Sequence, residues 1–597
     1  MTQGQGQSGV TADKTAATQP AIGRRAIVAA GLFSHGYLWA ATASGIADAA
    51  PSVASLLPQY PAPHPSAPRH SDVVFSPRFD RPEAPAVARA FGATRIEWSY
   101  ITKPESIAAL RSAVGGGPFG GAINNNVVIP ANAAAAHDFD GQPIIASWMK
   151  SWGAVWNGCS APEGLQSLKD WSSRLMALGV GSIQMDGAGM QLESEYFGGG
   201  DFSPSSLKGF ATWAGQARSQ GLAKQLPPGA EADYRDWLRR NAGITSASEY
   251  MAKRGSLPST TVWREYLMDG AASCLQDLRK HINTVSSGRV AFSGNAHTPY
   301  PWGAGAFLAT LSDYVIGEVD EGHVDFERLA FFTAWLKSIG KRWVPVFPLT
   351  NQAKTRRCIA MAYACGANPV IPWDLWIPPS GTDTTPPARL FSTPADHGDL
   401  YRFVRDHAAL FDGFETISKL DLIIYTAPPN TPAVLKQLRR LSDAQVSYRA
   451  VVRDRGSNAT AGRKTNTGVS AFRLMSNTAF SEDRMPLAES LSTEQLTSYA
   501  AVSDAPPGVN VQVKAHVETS TKRVIHITRQ HDADAGLDNV EFKLMPWALP
   551  AGKYWRVSVH RPGVASTSQT LTTNGGGRLA LAIRPFAEWA IIEINSV

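Results

Sequence analysis

Four cysteines in 597 residues, none in a Cys-x-x-Cys pair, are too few for a disulfide scaffold and lack the spacing of a zinc site. Cys159, Cys274, Cys358 and Cys365 therefore read as small buried hydrophobes, with one disulfide open to them after export. Charge of one sign is scarce as well: 56 Lys and Arg against 50 Asp and Glu leave a net charge of +6, and no run of bases is long enough to track a phosphate backbone. Nucleic acid is thus not an expected partner. Metal and cofactor signatures are missing too. There is no HxH or HExxH, "FSGN" around Ser293 lacks the Gly-x-Ser-x-Gly elbow, and "FGGGDFSPSSLKGF" lacks the lysine of a phosphate loop. No cofactor and no metal are expected. Beyond the N-terminus, no apolar run is long enough to cross a bilayer.

What is present begins at Arg24-Arg25. After them "AIVAAGLFSHGYLWAATASGIA" carries no charge up to Asp48, and Ala47-Asp48-Ala49 has the small-x-small form of a cleavage site. Ser34, His35, Gly36, Thr42 and Ser44 make this stretch poor hydrocarbon. Residues 1–49 resemble a twin-arginine export signal, which implies a periplasmic or secreted product with no stable membrane span once the signal is removed.

From residue 94 to 376 short apolar runs alternate with longer amphipathic ones, the pattern of a parallel α/β fold. Predicted strands are "TRIEWSY" (94–100), "GGAINNN" (120–126), "PIIASWMK" (143–150), "VGSIQMD" (180–186), "RVAFSGN" (289–295), "DYVIGEVD" (313–320), "RWVPVFP" (342–348) and "NPVIPWD" (368–374). Helical patterns between them end at glycines such as Gly179, Gly340 and Gly366. Eight such pairs predict a (β/α)8 TIM barrel over residues 50–415, with a largely helical insertion after strand 4. An open doubly wound sheet is the rival, but "YITKPES" is no phosphate loop. Residues 416–507 read as a small α/β segment, and 508–597, with runs such as "VNVQVKAHV" and "YWRVSVHRP", as a β-sandwich.

In a barrel the chemistry sits at the C-terminal strand ends. Here those ends carry acids, amides and aromatics: Glu97, Trp98 and Tyr100; Asn124 and Asn125; Trp148 and Lys150; Gln184 and Asp186; Asn295 and His297; Glu318, Asp320 and His323; Asn351; and Trp373, Asp374 and Trp376. Carboxylates and amides supply the directional hydrogen bonds that hydroxyl-rich ligands need, and indole or phenol faces stack on sugar rings. An oligo- or polysaccharide is the expected substrate. Cleaving a glycosidic bond takes two carboxyl groups facing across it. Asp186 on strand four is the candidate nucleophile or base, and Glu318 on strand six the candidate acid, with Asp320 able to replace it. Asp374 is placed to bind substrate hydroxyls or to serve as base.

The strand-four "QMDG" and strand-six "IGEVD", followed by a β-sandwich, resemble retaining (β/α)8 glycoside hydrolases of the α-galactosidase and dextranase type. That resemblance implies that Asp186 takes the nucleophile's place and Glu318 or Asp320 the acid's. Enzymes with glutamates after strands four and seven fit less well, since "FPLTNQ" ends strand seven without an acid. A noncatalytic carbohydrate-binding barrel and a polysaccharide lyase using the same rim are the rival readings.

Overall fold

The computed structural model describes residues 53–127, 134–145, 149–150, 153–158, 161–219, 226–296, 299–301, 303–319, 321–377, 388–425, 431–453, 470–473, 491–519, 521–530, 539–550 and 552–597. The export segment at 1–49, Cys159 and three predicted site residues (Trp148, His297 and Asp320) lie outside them.

Seven parallel strands form one sheet in chain order: β1 (Val74–Phe75), β2 (Arg95–Ser99), β3 (Phe119–Asn124), β4 (Ser182–Asp186), β5 (Ala291–Asn295), β6 (Tyr314–Glu318) and β7 (Trp343–Val346). Residues 368–371 close it. The amides of Asn368 and Val370 donate to the Trp343 and Pro345 carbonyls, each at 2.9 Å, while Ile371 N donates to Val74 O at 2.9 Å. Val74 and Val370 form a parallel bridge, so the eighth stave joins β7 to β1 and the barrel is complete. Both faces of such a sheet are covered, which is why its strands are apolar runs rather than alternating ones. Inside pack Val74, Ala122, Ala291, Ile316, Val344 and Val346; outside, helices such as Phe326–Ser338 and Gln352–Cys365 bury Phe331, Trp335 and Ile359.

Two strand assignments change. The run "VVF" at 73–75 is the first stave, too short to stand out by pattern. The described residues of "PIIASWMK", 143–145 and 149–150, form no stave: between β3 and β4 Asn126–Val127 pairs antiparallel with Val155–Trp156, Pro143 bridges His137, and Ile144 packs on Ala136 and Trp156. One strand missed and one too many cancel, so Asp186 still ends the fourth stave and Glu318 the sixth.

The insertion after β4 is helical, with helices Gln191–Gly198, Pro204–Ser219, Tyr234–Ala242, Ala247–Lys253 and Pro258–Ser286. It builds its own aromatic core from Phe202, Phe210, Tyr234, Tyr250, Trp263 and Tyr266, joined by Phe139 of the earlier excursion. After the barrel, Leu420–Tyr425 pairs in parallel with Arg449–Arg453 and Ser470–Arg473, with helix Thr431–Asp443 between the first two. An antiparallel sheet follows, made of Val509–His516, Lys522–Arg529, Trp555–Arg561, Val564–Leu571 and Trp589–Ser596, with Phe414–Thr416 at its edge. A smaller sheet of Val502–Ser503, Val540–Leu544 and Leu579–Ile583 shares a core with it, including Val511, Val513, Phe542, Leu581 and Ile592. Cys274, Cys358 and Cys365 are buried and outside any disulfide. No helix among the described residues is long and apolar enough to cross a membrane.

Candidate active site

Asp186 ends β4 at the C-terminal mouth of the barrel and receives four hydrogen bonds. Trp98 Nε1 donates to Oδ2 at 2.8 Å, and the Tyr100 hydroxyl donates to the same oxygen. Gln184 Nε2 and Asn295 Nδ2 each donate to Oδ1 at 3.1 Å. Every partner donates, so Asp186 is served purely as an acceptor, the pattern a carboxylate wants. Its side chain keeps 16% of its surface exposed. Burial, and secondarily the Asp186 charge, raise the Tyr100 hydroxyl well above the usual tyrosine range, so Tyr100 remains a donor. Asn124 Nδ2 in turn donates to the Tyr100 oxygen at 3.4 Å.

A bulge aims part of this set. Between Ile96 and Ser99 the β2–β3 register slips by one residue, and Trp98 sits at φ 52°, a region rare for a bulky side chain. The extra residue breaks the alternation of the strand. Glu97 and Trp98, consecutive in sequence, both turn into the barrel at different depths. Behind Asp186, Gly187 turns the chain at φ +64°, where an added Cβ would sit 3.1 Å from Asn125 Cβ and 3.2 Å from the Trp156 ring. That is why an acid here is followed by glycine.

Glu318, at the end of β6, is 9% exposed. Arg78 joins the two acids: its Nη1 lies 3.9 Å from Asp186 Oδ2 and its Nη2 3.6 Å from Glu318 Oε1. Its guanidinium lies over the Trp98 ring. Asp186 and Glu318, at the ends of non-adjacent staves, therefore share one guanidinium.

The other predicted residues divide sharply. Trp98, Tyr100, Asn124, Gln184 and Asn295 surround Asp186. Glu97 does not join them: it is fully buried below, bonded by Arg95 Nε at 2.5 Å, by Ser182 Oγ and by Tyr314 OH at 2.7 Å. Asn125 is also buried, donating to the Asn157 carbonyl at 3.2 Å. Asn351 caps helix Gln352–Cys365, accepting from Lys354 N at 2.9 Å. Lys150 is exposed, and the His323 ring meets Tyr300 edge to face. Trp373 is buried between Phe75 and Phe391. Trp376 is half-buried beside Arg389, its partner across the short hairpin of Trp373–Trp376 and Arg389–Phe391. Asp374, fully buried, is bonded by Arg81 and Arg389.

Arg78 and Arg81 escape the sequence reading because the first stave does. The legible signal is "VVFSPRFDR", a short apolar run followed at once by bases and an aromatic.

No family model matches this chain. Its sequence is 22% identical over 460 residues to an α-agarase of Thalassotalea agarivorans, a match covering 66% of this chain and 29% of that protein. In fold it is similar to β-galactosidases of Rahnella sp. R3 and of the psychrophilic Marinomonas ef1, at TM-scores of 0.52 and 0.55 and identities of 11% and 10%. Those alignments cover 87% and 88% of this chain and all of each of the other two. The chain thus has a TIM barrel followed by β-sheets, the architecture it shares with those β-galactosidases.

Proposed function

We propose that this protein is a glycoside hydrolase acting on an oligo- or polysaccharide, with Asp186 and Glu318 as its two carboxyl groups. The observation that carries the reading is Asp186 itself: a partly exposed carboxylate at the end of the fourth stave, oriented by four donors and sharing Arg78 with Glu318. The sequence similarity to an α-agarase and the fold shared with β-galactosidases support the same class. In the proposed reaction Asp186 attacks the anomeric carbon as Glu318 gives its proton to the departing glycosidic oxygen. Water then breaks the glycosyl ester, returning its proton to Glu318. Trp98, Tyr100, Gln184 and Asn295 fix the attacking carboxylate, which lowers the cost of reaching the reactive geometry. The leader at 1–49 is proposed to export the protein, and 50–415, 416–507 and 508–597 to be its three domains.

The test is reducing-end release by the purified protein from a panel of agarose, other galactans and glucans. Release by wild type, with a loss on the order of 10³-fold in folded Asp186→Asn and Glu318→Gln, supports the reading. Equal release by wild type and both variants would remove these residues from the chemistry, and binding without release would point to a noncatalytic barrel.

A further inference from the structure

Beside the proposed catalytic pair lies a second ionic cluster whose hydrogen bonds are incomplete. Arg81 Nη2 and Arg389 Nε both donate to Asp374 Oδ1, at 3.1 and 3.0 Å. A purely structural pair would use both carboxylate oxygens in a fork. Here Asp374 Oδ2, Arg81 Nε and Arg389 Nη2 are buried with no hydrogen-bond partner. Buried polar groups of this kind cost free energy unless something supplies the missing bonds. Asp374 is also held at φ 55° by a bulge in the hairpin, where the register slips between Trp373 and Leu375. Backbone outliers and bulges of this type cluster where a side chain must be aimed.

The cluster is open on one side. The Arg81 side chain is 32% exposed and that of Arg389 18%. Two aromatic rings flank the opening, Phe79 at 44% and Phe391 at 42% exposed, each within about 5 Å of a guanidinium. Phe79 also stacks on Tyr100 at 6.1 Å, and Tyr100 bonds Asp186. One ring therefore separates this cluster from the proposed cleavage point. Exposed rings beside unfilled donors make a surface for a sugar unit.

Charge narrows the choice of sugar. Two guanidiniums face one carboxylate in the cluster, and Arg78 adds its repulsion to that of Arg81 on Arg389. Among the described residues, Asp374 is the carboxylate that pairs with both Arg81 and Arg389, so this partly buried cluster carries one positive charge in excess. We propose that the Arg81–Asp374–Arg389 cluster is a subsite for a sugar unit bearing an anionic group, a carboxylate or a sulfate ester, bound next to the cleaved bond. The placement next to the cleaved bond rests on the glycosidase reading of Asp186.

The experiment is affinity electrophoresis of the full chain in gels containing matched polymers: agarose against chemically sulfated agarose, and methyl-esterified against free polygalacturonate. The proteins are wild type, Arg81→Gln, and Arg89→Gln, which removes the same charge from an exposed helix position. Arg81→Gln leaves the Arg389 bond to Asp374 in place, and a thermal melt checks that it folds. Wild type should bind at least one anionic polymer about tenfold more tightly than its neutral partner, the ratio one charge-assisted hydrogen bond supplies. Which pair shows the preference tells sulfate from carboxylate. Arg81→Gln should abolish it and Arg89→Gln should keep it. No preference in wild type, or an equal loss in both variants, would overturn the subsite. Reducing-end release without an anionic preference rejects the subsite and keeps the hydrolase. An Arg81-dependent preference without release from any polymer does the reverse.

Discussion

Two carboxylates inside one barrel, Glu97 and Asp186, have almost the same hydrogen-bond inventory and opposite surroundings. Each accepts from a tyrosine hydroxyl, from a nitrogen donor and from neighbours on other staves. Glu97 is sealed at 0% exposure, and its charge is matched at contact distance by Arg95. Asp186 keeps a free face at the mouth, and its nearest cation stands off at 3.9 Å, shared with Glu318. Both acids are held by donors of the barrel, but the lower one is closed off from solvent, whereas the upper one keeps 16% of its side-chain surface exposed at the mouth. Depth along the stave, rather than residue type, separates a structural acid from a candidate catalytic one.

Substitutions should separate the two. The largest effect is expected for Asp186→Asn, with kcat/KM falling on the order of 10³-fold while the urea midpoint stays near that of wild type. Glu97→Gln should do the opposite. It leaves buried Arg95 with only Asp72, at 3.8 Å, as counter-charge and should cost about 3 kcal/mol of folding free energy, read from urea unfolding, while the molecules that remain folded keep turning over substrate. A smaller and more discriminating contrast comes from the two tyrosines. Tyr100→Phe and Tyr314→Phe each remove one bond to a carboxylate, about 1.5–3 kcal/mol. The first should appear mainly in kcat/KM and the second mainly in unfolding.

The smallest effect is in pH dependence. Burial first, and the adjacent carboxylate second, raise both Tyr100 and Tyr314 well above the ordinary tyrosine range. The folded state then holds these protons to higher pH than the unfolded chain does. Their contribution is complete below about pH 10 and is lost as pH rises beyond it. Urea midpoints at pH 8 and pH 11 should accordingly fall less in the two phenylalanine variants than in wild type.

The sequence made the barrel legible because its staves are apolar runs ending in polar residues, a pattern that survives a missed stave and a false one. Asp186 was visible for the same reason, with Gly187 marking the turn behind it. Glu97 was not separable from Asp186, since a bulge at residues 97 and 98 breaks the alternation on which depth is read. Arg78 was invisible because a stave of only two residues, Val74 and Phe75, carries no periodicity. Asn351 and Asn125 were drawn in by polarity alone, when one is a helix cap and the other braces a loop. Residue type marks the rim, and tertiary contacts decide which of its members face the opening.

The most direct test of the central claim is azide rescue of Asp186→Gly on a polysaccharide that wild type cleaves. Removing the carboxylate should abolish turnover and leave space beside Gln184 and Asn295 for a small nucleophile. Added sodium azide should then restore cleavage and yield a glycosyl azide of inverted anomeric configuration. Turnover by Asp186→Gly without azide, or rescue to a glycosyl azide in Glu97→Gly but not in Asp186→Gly, would contradict the assignment of Asp186 as the attacking carboxylate.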